Sequence, residues 1–174
     1  MKRGNVKKLN ITPKNNEIVI EDSRIIVSKT DLKGQITYMN TYFIEISRYQ
    51  ELELLGKPHN IIRHPDMPKA IFKLLWDTIQ KGEEINAYVK NLAKDGSYYW
   101  VLANVTPSFD ANKNIIGYFS VRRKPTSQAL EYIKKLYAKM LSIEKSSSMK
   151  ESMEYLENVL KDKRITYEEF INAL

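Results

Sequence analysis

The spacing of apolar and polar residues changes period several times along this chain. Arg24–Thr30 is apolar and β-branched, and Gln35–Tyr38 repeats that character after the turn Asp31-Leu32-Lys33-Gly34. Two such runs about a glycine-ended turn predict a β-hairpin. Asn40 then stands where a helix would start, with Tyr42, Phe43 and Ile46 at helical spacing. A second short helix over Glu51–Leu55 stops at Gly56. Three prolines divide Lys57–Pro68 into turns and short helical pieces. Beyond Pro68, the residues Phe72, Leu75, Trp76 and Ile79 mark one helical face, Ile71 and Leu74 widen it, and Gly82 ends it.

After Gly82 the period becomes two. Ile85–Ala93, Ser97–Ser108 and Asn114–Arg123 read as three strands joined by the hairpin turns Lys94-Asp95-Gly96 and Asp110-Ala111-Asn112-Lys113. Hairpin, short helices, one longer helix and a three-strand meander predict an α+β fold, an antiparallel sheet of five strands with helices on one face. Alternation groups Val89 with Asn91, and Tyr99 with Val101, Ala103 and Val105. If these face inward with Phe119 and Val121, an apolar cavity results with Asn91 projecting into it, a setting suited to a planar cofactor. A filled core with Asn91 bonded to backbone accounts for the same pattern.

The last third is helical. Leu130, Ile133, Tyr137, Met140 and Leu141 form one stripe, Ser146-Ser147-Ser148 breaks it, and Met149, Met153, Leu156 and Leu160 form another. Thr166 with Glu169 makes a capping box ahead of Tyr167, Phe170, Ile171 and Leu174. Helices this short need a surface for their apolar faces, whether the domain itself, a second copy or a partner. The expected organisation is a basic, flexible leader over 1–22, an α+β domain over 23–125 and a helical extension over 126–174.

Composition narrows the chemistry. Of 174 residues none is cysteine and only His59 and His64 are histidine, which excludes disulfides, thiolate chemistry and histidine-rich metal sites. The formal charge of +7 is partly a leader effect: five basic residues precede the first acidic one, Glu17. From Ser142 onward five basic residues face seven acidic ones, and no helix carries a basic stripe with interleaved aromatics. Nucleic-acid binding is therefore not expected. No apolar run is long enough to span a bilayer and no signal sequence opens the chain, so a cytoplasmic protein is expected.

One turn concentrates chemistry. Arg63, His64 and Asp66 put a cation, a titratable ring and a carboxylate into four positions stiffened by Pro65 and Pro68. Arg63 offers a fork of donors to a phosphate or a ring carbonyl. An Arg63–Asp66 salt bridge, with Asp66 capping the following helix, is the plainer reading. No nucleophile motif, phosphate loop or dinucleotide fingerprint accompanies the turn, so an enzyme is not expected.

These same residues carry a resemblance. Gly56-Lys57-Pro58-His59-Asn60-Ile61-Ile62-Arg63-His64-Pro65-Asp66-Met67-Pro68-Lys69-Ala70 resembles the signature of aerotaxis-receptor-type PAS domains. Lys90-Asn91, Lys94-Asp95-Gly96, Tyr99-Trp100-Val101 and Ala103-Asn104-Val105-Thr106-Pro107 continue it, and the likeness covers about Arg24–Lys124. The resemblance implies a PAS fold and a redox or energy-taxis sensor that holds FAD noncovalently. It puts the flavin-contacting positions on Asn40, Arg63, His64, Asp66, Phe72, Trp76 and Asn91. The chain is also similar to the stand-alone PAS protein of two-protein systems, which implies a membrane-bound methyl-accepting chemotaxis transducer as partner, recruitment to the membrane through it, and room for a homodimer. Two positions depart from the family pattern: Ile85 replaces an aromatic residue after the Lys-Gly-Glu turn, and Leu74 replaces an aspartate often found in the long helix. They leave open a cofactor-free PAS adaptor for protein association, and the two histidines leave open a haem-binding sensor through His59 or His64.

Overall fold

The computed structural model describes residues 11–174. The chain forms β1 (Ile26–Thr30), β2 (Ile36–Met39), α1 (Thr41–Ser47), α2 (Glu51–Leu54), a 3-10 turn at His59–Ile62 and α3 (Lys69–Ile79). It continues with β3 (Ile85–Leu92), β4 (Tyr98–Phe109), β5 (Ile115–Arg123), α4 (Ser127–Ser146), α5 (Met149–Lys163) and α6 (Tyr167–Asn172). The five strands make one antiparallel sheet in the order β2-β1-β5-β4-β3. Local chemistry explains the boundaries. Asn40 caps α1 by accepting from the Phe43 amide, and Thr166 and Glu169 close a capping box on α6. Ser148, the last residue of the serine break, caps α5 by accepting from the Glu151 amide.

Helices α1–α3 cover one face of the sheet, and Ile26, Ile36, Phe43, Ile62 and Ile71 fill the space between. The helical extension folds back on the same domain. Ile133, Leu136, Tyr137 and Met140 of α4, Leu156 of α5, and Phe170 and Ile171 of α6 join the same core. The Tyr137 hydroxyl donates to the carbonyl of Tyr88 at 2.9 Å, and its ring lies 6.2 Å from Trp100, so α4 crosses the outer face of β3 and β4. The α4 stripe thus packs on this domain's own sheet, whereas α5 packs on α4 and α3, with Leu156 buried and Met149 exposed.

The extension also completes α3. That helix starts after Pro68, which has no side chain to cap it. Both oxygens of Glu144, near the end of α4, accept from the amides of Lys69 and Ala70 at 2.9 Å each. A carboxylate here satisfies two orphan donors and complements the positive end of the helix dipole. Glu144→Ala is expected to cost about 1 kcal/mol of stability, read by urea unfolding. Amide exchange at Lys69 and Ala70 should accelerate with it; unchanged exchange would mean that these amides are protected by something else.

Of the leader, residues 1–10 lie outside the described part. The remainder follows the start of β4: Lys14 N–H donates to Gly96 O at 2.8 Å, and Ile18 N–H donates to Tyr98 O at 2.7 Å. Ile20 is buried in the main core.

The facing of β5 differs from the sequence expectation. Register pairs Ala103 with Arg122 and Val105 with Ser120, and directly opposed residues share a face. Tyr118, Ser120 and Arg122 therefore turn inward. Phe119 and Val121 turn outward, Phe119 beside Lys29, which pairs with Tyr38. Apolarity misdirected the assignment, because the outward pair is the more hydrophobic of the two.

Candidate functional site

Between α3, the 3-10 turn and the inner face of the sheet lies a cavity of about 440 Å³. Phe72, Leu75, Trp76 and Ile79 line it from α3, where the helical spacing placed them. Val89, Asn91, Ala103 and Val105 form the sheet side. Gly34 closes one edge: its φ is 75°, and a Cβ there would meet the Trp76 indole at 2.9 Å. Met149, the first residue of α5, reaches the same space, so the extension contributes to the cavity wall.

The polar floor is a cluster that sequence reasoning missed. Arg122 is 3% exposed and lines the cavity with Ser28, His59 and Ser120. Its Nη2 donates to Ser28 Oγ at 2.6 Å and to His59 Nε2 at 2.7 Å. Arginine has no acceptor, so His59 Nε2 must carry a lone pair and the ring is neutral with its proton on Nδ1. Burial and the adjacent guanidinium push His59 down to about 3, and burial pushes Arg122 down to about 10. Arg122 still carries its charge at neutral pH. Among the described residues no carboxylate pairs with it, and the buried Arg122 Nη1 and Ser120 Oγ have no hydrogen-bond partner. A buried cation with an unspent donor is costly unless an acceptor arrives from outside the protein. The alternation Ser120-Val121-Arg122 was the available signal, once strand pairing had fixed which side faced in.

The seven positions named from the resemblance separate into three groups. Arg63, Phe72, Trp76 and Asn91 come together on the cavity. Arg63 stacks on Phe72, its guanidinium carbon 3.9 Å from the ring centre. Backbone pairing of Arg63 with Asn91 joins this turn to β3. His64 lies outside the cavity, on an adjoining groove; its Nδ1 accepts from the Asp66 amide at 3.0 Å. Burial and the Lys90 ammonium depress it to about 4, so His64 and Asp66 do not form a charged pair at neutral pH. The Asp66 carboxylate turns away to Lys90 Nζ at 2.8 Å instead of bridging Arg63 or capping α3. Asn40 is also outside the cavity: its side chain accepts from the Val27 and Phe43 amides and donates to Ile25 O.

The two departures from the family pattern sit apart from the cavity wall. Ile85 pairs with Val105 and packs in a small satellite core with Ile79 and Tyr118. Leu74 packs on the flank of α3 against both cores. Neither contributes a surface to the cavity.

The sequence profile described as PAS fold matches residues 36–122, the span from β2 to β5 that encloses this cavity. The chain belongs to the PAS fold family. Its domain is of the aerotaxis-receptor type: it is 43% identical over 118 residues to the aerotaxis receptor of Escherichia coli (strain K12), covering 68% of this chain and 23% of that protein. The nitrogen fixation regulatory protein of Klebsiella pneumoniae is 25% identical, over 60% of this chain and 21% of that one. The chain thus spans about a quarter or less of the length of these relatives. Among solved structures, the PAS domain of a Colwellia psychrerythraea protein superposes with a TM-score of 0.54 at 22% identity, over 59% of this chain and 86% of that chain. A light-oxygen-voltage domain studied with a flavin analogue does so at 0.55 and 24%, over 64% and 83%. Likeness at this identity shows the shared fold. The sequence similarity to an aerotaxis receptor and to a nitrogen fixation regulatory protein supports a PAS signalling domain.

Proposed function

We propose that this PAS domain is a flavin-based redox sensor that holds FAD noncovalently and reports to a membrane-bound methyl-accepting chemotaxis transducer. The observation that carries the reading is the buried Arg122, without a carboxylate partner among the described residues, on the polar floor of a cavity whose α3 wall is largely apolar. The residues fit a flavin: Phe72, Leu75, Trp76 and Val89 offer apolar contact to a planar ring system, while Asn91 and Arg122 offer polar groups to an acceptor-rich edge. When bound, a flavin supplies reversible electron uptake at a ring whose pyrimidine edge gains negative charge on reduction.

The protein's part is to feel that charge. Arg122 shares its donors among Ser28 on β1, His59 on the 3-10 turn, and whatever lies in the cavity. Arg122, with Nη1 unspent, would turn further towards a more anionic group in the cavity and loosen its hold on Ser28 of β1 and His59 of the turn. The strand order places β5, which carries Arg122, between β1 and β4, and the chain passes directly from β5 into α4. Such a shift biases elements already in contact with the extension. The relatives' names support a signalling role and taxis in particular. The haem alternative loses ground on geometry, since an iron would have to displace a guanidinium from the lone pair of His59 Nε2.

Absorption of the purified full chain tests the reading. After reconstitution with FAD, two broad bands in the near ultraviolet and blue that dithionite bleaches are expected. A featureless spectrum overturns the proposal, and a Soret band replaces it with haem.

A further inference from the structure

Beside the cavity lies a second groove of about 340 Å³, in which Asn60, Arg63 and Lys69 face Leu141, Glu144 and Lys145 of α4. Asn60, Arg63 and Lys69 also line the cavity, so the two spaces share a wall. Three cations line the groove against one carboxylate, and that carboxylate is held by the α3 amides. The nearby Asp66 is held by Lys90. Among the described residues, Arg63, Lys69 and Lys145 make no ion pair. The guanidinium of Arg63 is spent only on the Phe72 face and a long 3.5 Å contact to the Met67 carbonyl.

From this continuity we infer that the groove is a diphosphate subsite, taking the phosphate arm of a flavin dinucleotide whose ring occupies the cavity. The inference rests on the flavin reading and extends it to where the chain, including its helical extension, holds the phosphate arm. Arg63 sits where ring and arm join. Lys69 and Lys145 flank the arm, and Leu141 gives it one apolar side. Phosphate is matched by cations that other groups have not neutralised. Because Lys145 and Leu141 come from the extension, the subsite exists only while α4 is docked. FAD and the docked extension therefore stabilise each other, as linkage requires.

Titration of the ligand-free full chain with FAD, FMN and riboflavin, followed through quenching of tryptophan emission, tests this. Lys145 is exposed and lines the groove but not the cavity, so Lys145→Glu leaves the fold and the ring site intact, a point checked by circular dichroism. This variant is expected to weaken FAD by about fivefold or more, FMN by less, and riboflavin not at all. Unchanged FAD affinity, or an equal loss for all three flavins, overturns the subsite while leaving the flavin reading in place. If none of the three binds the natural chain, the flavin reading fails and the subsite falls with it.

Discussion

Replacing Arg122 with methionine is expected to stabilise the ligand-free protein while weakening its grip on flavin. The buried guanidinium has no carboxylate partner and leaves Nη1 unspent, so the ligand-free fold bears its desolvation cost with partial compensation from Ser28 and His59. Exchanging poorly compensated buried charge for an apolar side chain of similar length commonly gains about 1–3 kcal/mol. Against this, a charge-assisted hydrogen bond to a ligand is worth about 1.5–3 kcal/mol, so flavin affinity should fall by about 10- to 100-fold. Urea unfolding of the ligand-free variant together with a flavin titration checks both halves. Arg122→Lys is expected to lose affinity as well, since one ammonium cannot serve Ser28, His59 and a ligand as a planar fork does. A variant that is less stable yet binds flavin normally would make Arg122 a structural pin rather than a ligand group. Stability given up for function is common at binding sites, and here it would be traced to one atom.

That atom also marks where the sequence stopped being informative. Strand and helix order was legible because each element declared its period and ended in turn chemistry, as at Asp31–Gly34, Gly82 and Ser146–Ser148. The α3 contribution to the cavity was equally legible, since Phe72, Leu75, Trp76 and Ile79 keep helical spacing. What escaped notice depends on pairing between distant segments. Arg122 faces inward because β5 registers Arg122 against Ala103, and nothing within β5 itself reveals that partner. Likewise, Glu144 caps a helix that starts 75 residues earlier. Asp66, the local candidate for that cap, went instead to Lys90 across the sheet edge. The motif around Arg63 was visible as a stiff charged turn; its division between a cavity and a neighbouring groove was not. The extension shows the same limit, because an amphipathic stripe states that a surface is needed without stating whose.

Acid should destabilise this protein at pH values where its carboxylates are still ionised. His59 is enclosed by Arg122, Ser28 and Phe43, and its accessible edge opens onto the cavity. Folding lowers its protonation from near 6.5 to about 3. Below pH 6.5 the unfolded chain takes up a proton that the folded chain refuses, so stability is complete above that pH and is lost progressively as pH falls towards 3. Each unit of pH within the window costs up to about 1.4 kcal/mol from this residue. Between pH 6.5 and 4.5 the loss therefore reaches about 2–3 kcal/mol. His64, depressed to about 4 by burial and Lys90, adds a second proton of the same sign. The depressed carboxylates, Asp66 and Glu53 among them, contribute only as pH approaches and passes below their ordinary range. His59→Gln keeps an acceptor for Arg122 but cannot titrate, so its unfolding free energy should lose the His59 share of this slope between pH 6.5 and 4.5. Urea unfolding of both proteins at half-unit intervals of pH makes the comparison. Parallel curves would mean that His59 takes up its proton in the folded state, and that the Arg122–His59 contact does not hold the ring neutral.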